Sequence, residues 1–291
     1  SWDARTKVHS AMLDLHAARE SEALLKEEQA LHEEELTRLD AQVKAGETPA
    51  FELTQARLSL NRARLALHDV EKKSATARAA LAAAVGVPSS ALDAASLDFS
   101  VFNTLPPAPG SRARKRALTH RADLLAALAD YAAAEAALRL EIAKQYPDIH
   151  INPGYQLDQT DNQWALGISV ELPILNQNRG PIAQAEARRK TAQAKFEALQ
   201  AAVFGALELA LAAYRAAQAK AATAAKLTDD ATAQADSAKK MIEAGEISPL
   251  EHTRRRIEVT AAKLARQEAT QDARVALAAL EAAIQVPARK W

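Results

Sequence analysis

An internal repeat constrains this chain more than any other feature. Residues 45–88 and 244–287 align without gaps at an offset of 199, with 17 identities in 44 positions. Two alanine-rich helices share alanines by chance. They do not by chance share Ala45-Gly46-Glu47 with Ala244-Gly245-Glu246, Glu52 and Thr54 with Glu251 and Thr253, and Val87-Pro88 with Val286-Pro287. The apolar pairs Leu58 and Ile257, Leu65 and Leu264, Leu81 and Leu280, and Val85 and Ile284 also align. A fixed period marks a duplicated structural unit. Each copy reads as a long helix, a tight turn at Ala-Gly-Glu, and a return helix ending at Val-x-Val-Pro or Ile-x-Val-Pro. The glycine suits a left-handed helix C-cap, and Thr48 or Ser248 can accept from the free donors of the next helix. The expectation is two antiparallel helical hairpins.

Composition supports long helices. Of 291 residues, 71 are alanine, 8 are glycine and 12 are aromatic, a balance that favours helix over turn. From Pro181 to Glu243 the only glycine is Gly205, so one helix there would run ~95 Å at 1.5 Å per residue. Its apolar residues Phe196, Leu199, Val203, Leu207, Ala210 and Tyr214 fall on one narrow stripe suited to coiled-coil packing, and Pro181 suits a first-turn position. No uninterrupted run of 18 apolar residues occurs, so no membrane-spanning helix is expected. The 37 basic and 37 acidic side chains cancel, which gives no general attraction to nucleic acid. Cysteine is absent, which rules out disulfides, thiolate nucleophiles and Cys-type zinc sites within the chain and fits a periplasmic or surface setting. The chain starts at Ser1 with no visible signal peptide, which reads as a processed or truncated start.

Between the repeat copies the periodicity changes. Ser89 to Gly110 reads as an irregular connector, and Arg112 to Lys144 as helix, with Leu118, Leu124, Leu125, Leu128, Leu138 and Leu140 as packing candidates. In Asp148 to Asp158 and again in Gln163 to Pro173, apolar and polar residues alternate, the signature of strands with two unlike faces. Gln159-Thr160-Asp161-Asn162 would join them as a hairpin. Each strand has about the 9 to 11 residues that a tilted strand needs to cross a bilayer within a barrel. An alternating hairpin is more often a half-buried sheet of a soluble protein. An isolated pair of strands is marginal in water, however, and nothing else in the chain reads as a strand to complete the sheet.

Arg121-Ala122-Asp123-Leu124 stands before the strands, Leu172-Pro173-Ile174-Leu175-Asn176-Gln177-Asn178-Arg179-Gly180 follows them, and the turns are Ala-Gly-Glu-Thr-Pro and Ala-Gly-Glu-Ile-Ser. By these residues and the order of its elements, the chain resembles the TolC-type outer-membrane efflux channel family. The similarity spans the whole chain, and the exit segment ending Asn178-Arg179-Gly180 looks most like the heavy-metal cation efflux branch. The fold class implied is mainly α: duplicated antiparallel coiled-coil hairpins with one amphipathic β-hairpin contributing to a trimeric transmembrane β-barrel. By the 199-residue offset, the matching strand pair would lie before Ser1, so the chain reads as an N-terminally truncated fragment. The expected parts are a first-repeat hairpin over 1–88, a connector over 89–111, a helix leading to the barrel over 112–146, the β-hairpin over 147–175, and the second-repeat hairpin over 176–287.

What the resemblance implies for function is a passive, periplasm-spanning exit duct of a tripartite efflux system, possible cargo being heavy-metal cations, located in the outer membrane and periplasm of a Gram-negative bacterium. The implied partners are two further copies in a homotrimer, outer-membrane lipid, a periplasmic adaptor (membrane fusion) protein and an inner-membrane resistance-nodulation-division pump, with no nucleic acid. Ile149, Ile151, Tyr155, Leu157, Trp164, Leu166, Ile168, Val170 and Leu172 would face lipid, while His150, Asn152, Gln156, Asp158, Ser169 and Glu171 would face the water-filled lumen. Tyr146 suits the interface. Gly46, Glu47, Thr48, Gly245, Glu246 and Ser248 would form periplasmic tips, about 90 Å from the strands at 1.5 Å per helical residue, that dock on the adaptor. Plain capping chemistry explains any one tip residue equally well; their duplication favours docking. No P-loop, dinucleotide-binding turn or nucleophile motif is present, so no catalytic residue, cofactor or enzyme activity is expected. His9 and His16 share one helix face and His32 precedes Glu33-Glu34-Glu35, but no metal-ligand spacing occurs; they read as solvated helix positions. Arg112, Arg114, Lys115 and Arg116 read as a solvated helix start. The competing readings are a soluble coiled-coil scaffold and the periplasmic adaptor itself. In the adaptor β domains flank the helical hairpin, the reverse of the order here.

Overall fold

A computed structural model describes residues 2–92, 95–110, 112–159, 161–171 and 176–288, without the side chains of 112–114 and 158. Its elements are α1 (Trp2–Lys44), α2 (Ala50–Val85), α3 (Arg112–His120), α4 (Ala122–Ala143), β1 (Ile149–Asp158), β2 (Asp161–Val170), α5 (Arg179–Glu243) and α6 (Pro249–Ile284). The fold is thus mainly α with one strand pair. The chain divides into two compact units, one of Ser1–Ala113 with Ala206–Trp291 and one of Arg114–Gly205.

In the first unit α1 packs against both α2 and α6. Leu15 and Leu81 centre one cluster with Ala11 and Ala77, and Leu39, Ala56 and Leu250 form another. Burying a leucine contributes about 2 kcal/mol, and alanine between the leucines lets the helices approach closely. Polar pairs fix the register of α1 on α6. Glu35 accepts from Arg254 Nε at 3.1 Å, Glu34 accepts from the Thr253 hydroxyl at 3.0 Å and from Arg256 at 3.2 Å, and Arg274 reaches Glu20 at 2.9 Å. Arg254 also reaches Glu52 of α2 at 3.3 Å, tying three helices together. The predicted stripe on α5 is covered where it lies in this unit, with Leu207 and Tyr214 fully buried.

The connector between α2 and α3 is anchored rather than loose. It makes two short 3-10 turns, Ser89–Leu92 and Ser100–Phe102. The Tyr214 hydroxyl and the Gln218 amide both donate to the Pro106 carbonyl, at 2.6 and 3.0 Å, and Arg274 Nε donates to the Phe102 carbonyl at 3.0 Å. Burial pushes the Tyr214 phenol up to about 12, so it remains a donor. Here the expectation of solvated histidines fails. The His16 ring stacks on Phe99 with centroids 5.0 Å apart, and His9 meets Phe102 edge-on at 5.2 Å. His32 is buried beside Glu35, 3.2 Å from its carboxylate. The aromatics of the connector and the crowding of α1 by two helices cover faces that helical periodicity alone leaves open.

In the second unit the single helix expected from Arg112 to Lys144 is broken. Arg121 is extended (φ −73°, ψ 119°) and separates α3 from α4. Leu124 and Leu138 are buried and Leu118 is half-buried, whereas the remaining packing candidates Leu125, Leu128 and Leu140 stay exposed. By length and composition alone α5 contains a stretch apolar enough to cross a membrane, although no uninterrupted run of 18 apolar residues occurs in it. Charged residues interrupt its apolar runs but are too sparse to lower the average. The same 199-residue offset places α1 opposite the second part of α5, and α1 is a packed coiled-coil helix.

Candidate functional site: the two-faced hairpin and the helix tips

The break at Arg121 starts the path to the hairpin. Arg121 grips Asp123 with a fork, Nε to Oδ1 at 3.0 Å and Nη2 to Oδ2 at 2.6 Å, and Leu124 N–H donates to the same carboxylate at 2.9 Å. The Arg121 hydrogen bonds hold the Asp123 carboxyl below its usual range. A carboxylate in the first turn also meets the positive end of the helix dipole. The Arg-Ala-Asp-Leu motif is therefore a helix-start lock.

β1 and β2 pair antiparallel, from Ile149 opposite Val170 to Asp158 opposite Asp161. The turn between the strands is only residues 159 and 160, shorter than the four-residue link expected. Gln159 takes a left-handed backbone (φ 51°), as tight hairpin turns demand. β2 therefore starts two residues earlier than expected and ends at Val170. Glu171 lies just beyond it, and Leu172 falls outside the described residues, as do Pro173, Ile174 and Leu175 of the exit motif.

The register sorts the side chains. Ile149 faces Val170, Ile151 faces Ile168, Pro153 faces Leu166 and Tyr155 faces Trp164, all on one side with Leu157 opposite Asn162. The Tyr155 and Trp164 rings lie 4.7 Å apart, and the Tyr155 hydroxyl donates to Asn162 Oδ1 at 2.7 Å. The other side carries His150 opposite Ser169, Asn152 opposite Gly167, Gly154 opposite Ala165 and Gln156 opposite Gln163. Asp158 ends β1 by backbone pairing, its side chain lying outside the described set. Gln163, the first residue of the expected second strand but absent from the expected polar set, lies on this side opposite Gln156; extending the alternation back from Trp164 finds it. Nothing covers either face among the described residues. Trp164 is 81% exposed, Leu166 69% and Ile151 63%, and Tyr146 just before β1 is 76% exposed. Both outer strand edges are also unpaired among the described residues.

The exit motif has its own chemistry. Gln177 and Asn178 adopt left-handed conformations (φ 47° and 53°), which asparagine tolerates better than most residues. The Asn178 amide then donates to both the backbone carbonyl and the carboxylate of Glu141, each at 2.8 Å, and Gln145 Nε2 donates to the Gln177 carbonyl at 3.1 Å. These bonds clamp the end of α4 to the start of α5 at the base of the strand pair. Sequence reasoning misses Glu141 and Gln145 as partners, because nothing in their local pattern marks them.

The two tips are built alike. Gly46 and Gly245 have φ 76° and 78°. Gly46 N–H donates to the Val43 carbonyl and Glu47 N–H to that of Gln42, at 3.0 and 2.9 Å. Gly245 and Glu246 repeat this on Ile242 and Met241, at 3.1 and 2.9 Å. Each is a paired C-cap with glycine where a Cβ would strain the backbone. The turns then diverge. The Ser248 hydroxyl accepts from Glu251 N–H at 3.2 Å, but Thr48 donates to Gln42 Oε1 at 3.3 Å, and α2 starts on Pro49 with no side-chain cap. Gly46, Glu47, Gly245, Glu246 and Thr48 remain on the surface, where Ser248 also lies. No group of acidic, histidine or cysteine side chains able to hold a metal ion occurs among the described residues.

The family model for the outer membrane efflux protein matches residues 113–284. No curated protein sequence matches the chain. Among solved structures, a membrane protein from Pseudomonas aeruginosa superimposes with a TM-score of 0.70 at 20% identity, covering 98% of this chain and 66% of that one. The outer membrane protein VceC from Vibrio cholerae gives 0.71 at 18%, covering 98% and 70%. The CmeC outer membrane channel of Campylobacter jejuni gives 0.68 at 18%, covering 97% and 62%. The chain thus spans about two thirds of the length of these structures, and at such identities they report the fold alone. With the family model matched over more than half the chain, the chain belongs to the outer membrane efflux protein family, the TolC-type channels of the Gram-negative outer membrane and periplasm.

Proposed function

We propose that this chain is the larger part of a passive exit duct, trimeric when whole, in which the strand pair crosses the outer membrane and the helical hairpins line a periplasmic tunnel. The observation that supports this most is the hairpin with one mainly apolar face, one mainly polar face and, among the described residues, no cover on either. Ten paired rows at ~3.3 Å per residue, tilted by ~45°, rise about 23 Å, close to the ~25 Å apolar band of a membrane barrel. Both edges must find partners in a bilayer, because an unpaired backbone group there costs several kcal/mol. Other strands of a closed barrel supply them.

In this reading the nine apolar positions from Ile149 to Leu172 contact lipid, and the polar positions His150, Asn152, Gln156, Asp158, Ser169 and Glu171 contact water in the pore. The tips at Gly46 and Gly245 dock on a periplasmic adaptor, and an inner-membrane pump supplies the energy, since the sequence carries no motif for it. Heavy-metal cations as cargo rest on the likeness of the Asn178-Arg179-Gly180 exit alone. Replacing Leu166 and Ile168 by lysine in the whole protein should block assembly, at a cost of about 2–4 kcal/mol per charge near the bilayer midplane. The check is outer-membrane fractionation with conductance in planar bilayers. Normal insertion and conductance by the double variant would remove Leu166 and Ile168 from the lipid face, whereas an unsubstituted whole protein that stays soluble and does not conduct would defeat the channel reading and favour a soluble scaffold.

A further inference from the structure

We propose that the connector segment 95–103 is an acid-released strap: His9 and His16 of α1 hold it closed while they are neutral, and charging them lets it lift from α1 and α6. Two rings of the strap rest on these imidazoles. Phe99 stacks on His16 at 5.0 Å with the planes 10° apart, and Phe102 meets both histidines, at 5.8 Å from His16 and 5.2 Å from His9. Leu97 and Phe99 also pack on the Ala11, Leu15, Ala77 and Leu81 cluster. The strap bridges two helices, because Phe102 sits against α1 while its carbonyl accepts from Arg274 of α6 at 3.0 Å. The His16 side chain is only 12% exposed, and its Nε2 makes no hydrogen bond. A ring held this way must leave its stack to hydrate a second proton, since burying an unpaired charge is costly.

The charges around the rings favour release. Beside His16, α1 supplies Arg19 and Glu20 and α6 supplies Arg274. Arg19 lies 5.5 Å over the Phe99 ring, and Arg274 holds one Glu20 oxygen at 2.9 Å, leaving the other 3.5 Å from His16 Nε2. A charged His16 is therefore a third cation sharing one carboxylate. Beside His9, Arg5 and Glu281 pair at 3.3 Å and offset each other. The strap's own Asp98 is engaged by the Ser100 N–H at 2.8 Å, α5 presents the uncharged Tyr214 and Gln218 to Pro106, and Arg78, beside the Ala77 contact on α2, already has a partner. Burial holds both imidazoles below the ordinary histidine value, against the opposing pull of Glu281 on His9 and Glu20 on His16. A lifted strap returns them to about 6.5, so the lifted state binds more protons than the closed one. Closure is fullest above that value and is lost as pH falls through it toward the lower native values. The bonds from Tyr214 and Gln218 carry no charge change in this range, so the strap stays tethered at Pro106.

This strap goes beyond the channel reading and does not rest on it. The test is hydrogen exchange of the whole protein in detergent, read by mass spectrometry at about pH 7.5 and about pH 5.5, with labelling times corrected for the intrinsic pH dependence of exchange. The strap amides bonded in the closed state are those of Ser100, Phe102 and Asn103. They should lose protection about tenfold at the lower pH, the limit for one imidazole a single unit below its open-state value. The amides from Ala77 to Leu81 should keep theirs. His9→Phe with His16→Phe keeps two rings under the strap and removes the titrating groups, so its strap should exchange alike at both pH values. Arg19→Gln, on an exposed position of α1, removes one competing cation and should shrink the acid loss. Equal strap protection at both pH values in the unsubstituted protein overturns the proposal. An acid loss that survives in the double phenylalanine variant overturns it equally. Where those two rings disturb packing, Arg19→Gln decides, and an acid loss it leaves unchanged also overturns the strap.

Discussion

At the scale of single residues, the motifs around the strand pair act as locks whose partners are short polar side chains. Asp123 is the clearest. Its carboxyl is held below the ordinary range chiefly by hydrogen bonds from Arg121, so its charged form is stabilised by folding. That stabilisation is present above the unfolded carboxylate pKa of about 3.9 and is lost as pH falls through the lower native value. Asp123→Asn should therefore lower stability by about 1 kcal/mol at pH 7 and by much less near pH 2, a modest effect because the Asp123 side chain is 37% exposed and its ion pair is screened. Urea unfolding of the whole protein at the two pH values measures this. A loss equal at both would mean that shape rather than charge holds the break between α3 and α4.

At the scale of elements, the duplication is accurate in the helix C-caps and approximate in the starts of the return helices. Gly46 and Gly245 occupy the same left-handed state with the same two backbone bonds, but only Ser248 caps the helix after its turn. Ser248→Ala should cost about 1 kcal/mol. Thr48→Ala should cost only a few tenths, within the usual range for a surface substitution, since that hydroxyl is engaged with Gln42. Thermal melts of the two variants separate the cases. The helices were legible because alanine content, proline spacing and the heptad stripe all point one way. The break at Arg121 was not, because extended backbone at one residue leaves hydrophobic periodicity almost untouched. The strands were legible by alternation, but their ends were not: the left-handed Gln159 allows a shorter turn than the run of polar residues suggested.

At the scale of the whole molecule, the helical tips and the strand pair fall in separate units. Gly46→Arg combined with Gly245→Arg adds bulk and charge at two open turns where no atom lies within 4 Å of the place a Cβ would take, so the cost in stability is confined to the positive φ, about 1–2 kcal/mol each. The whole protein carrying both should still assemble and reach the outer membrane, yet export should fail in a resistance assay. Retained export would remove the tips from the docking role.

The sequence by itself determined the helical hairpins, their duplication and the two-faced strand pair, because those rest on local periodicity and on the few residues that tolerate a left-handed turn. Only the tertiary structure decided that His9, His16 and His32 are packed rather than solvated, that Asn178 reaches Glu141, and that Leu250 is covered on α6 while its equivalent Phe51 is bare on α2. Each of these depends on what lies opposite a residue in space, and helical periodicity specifies a face without specifying its neighbour.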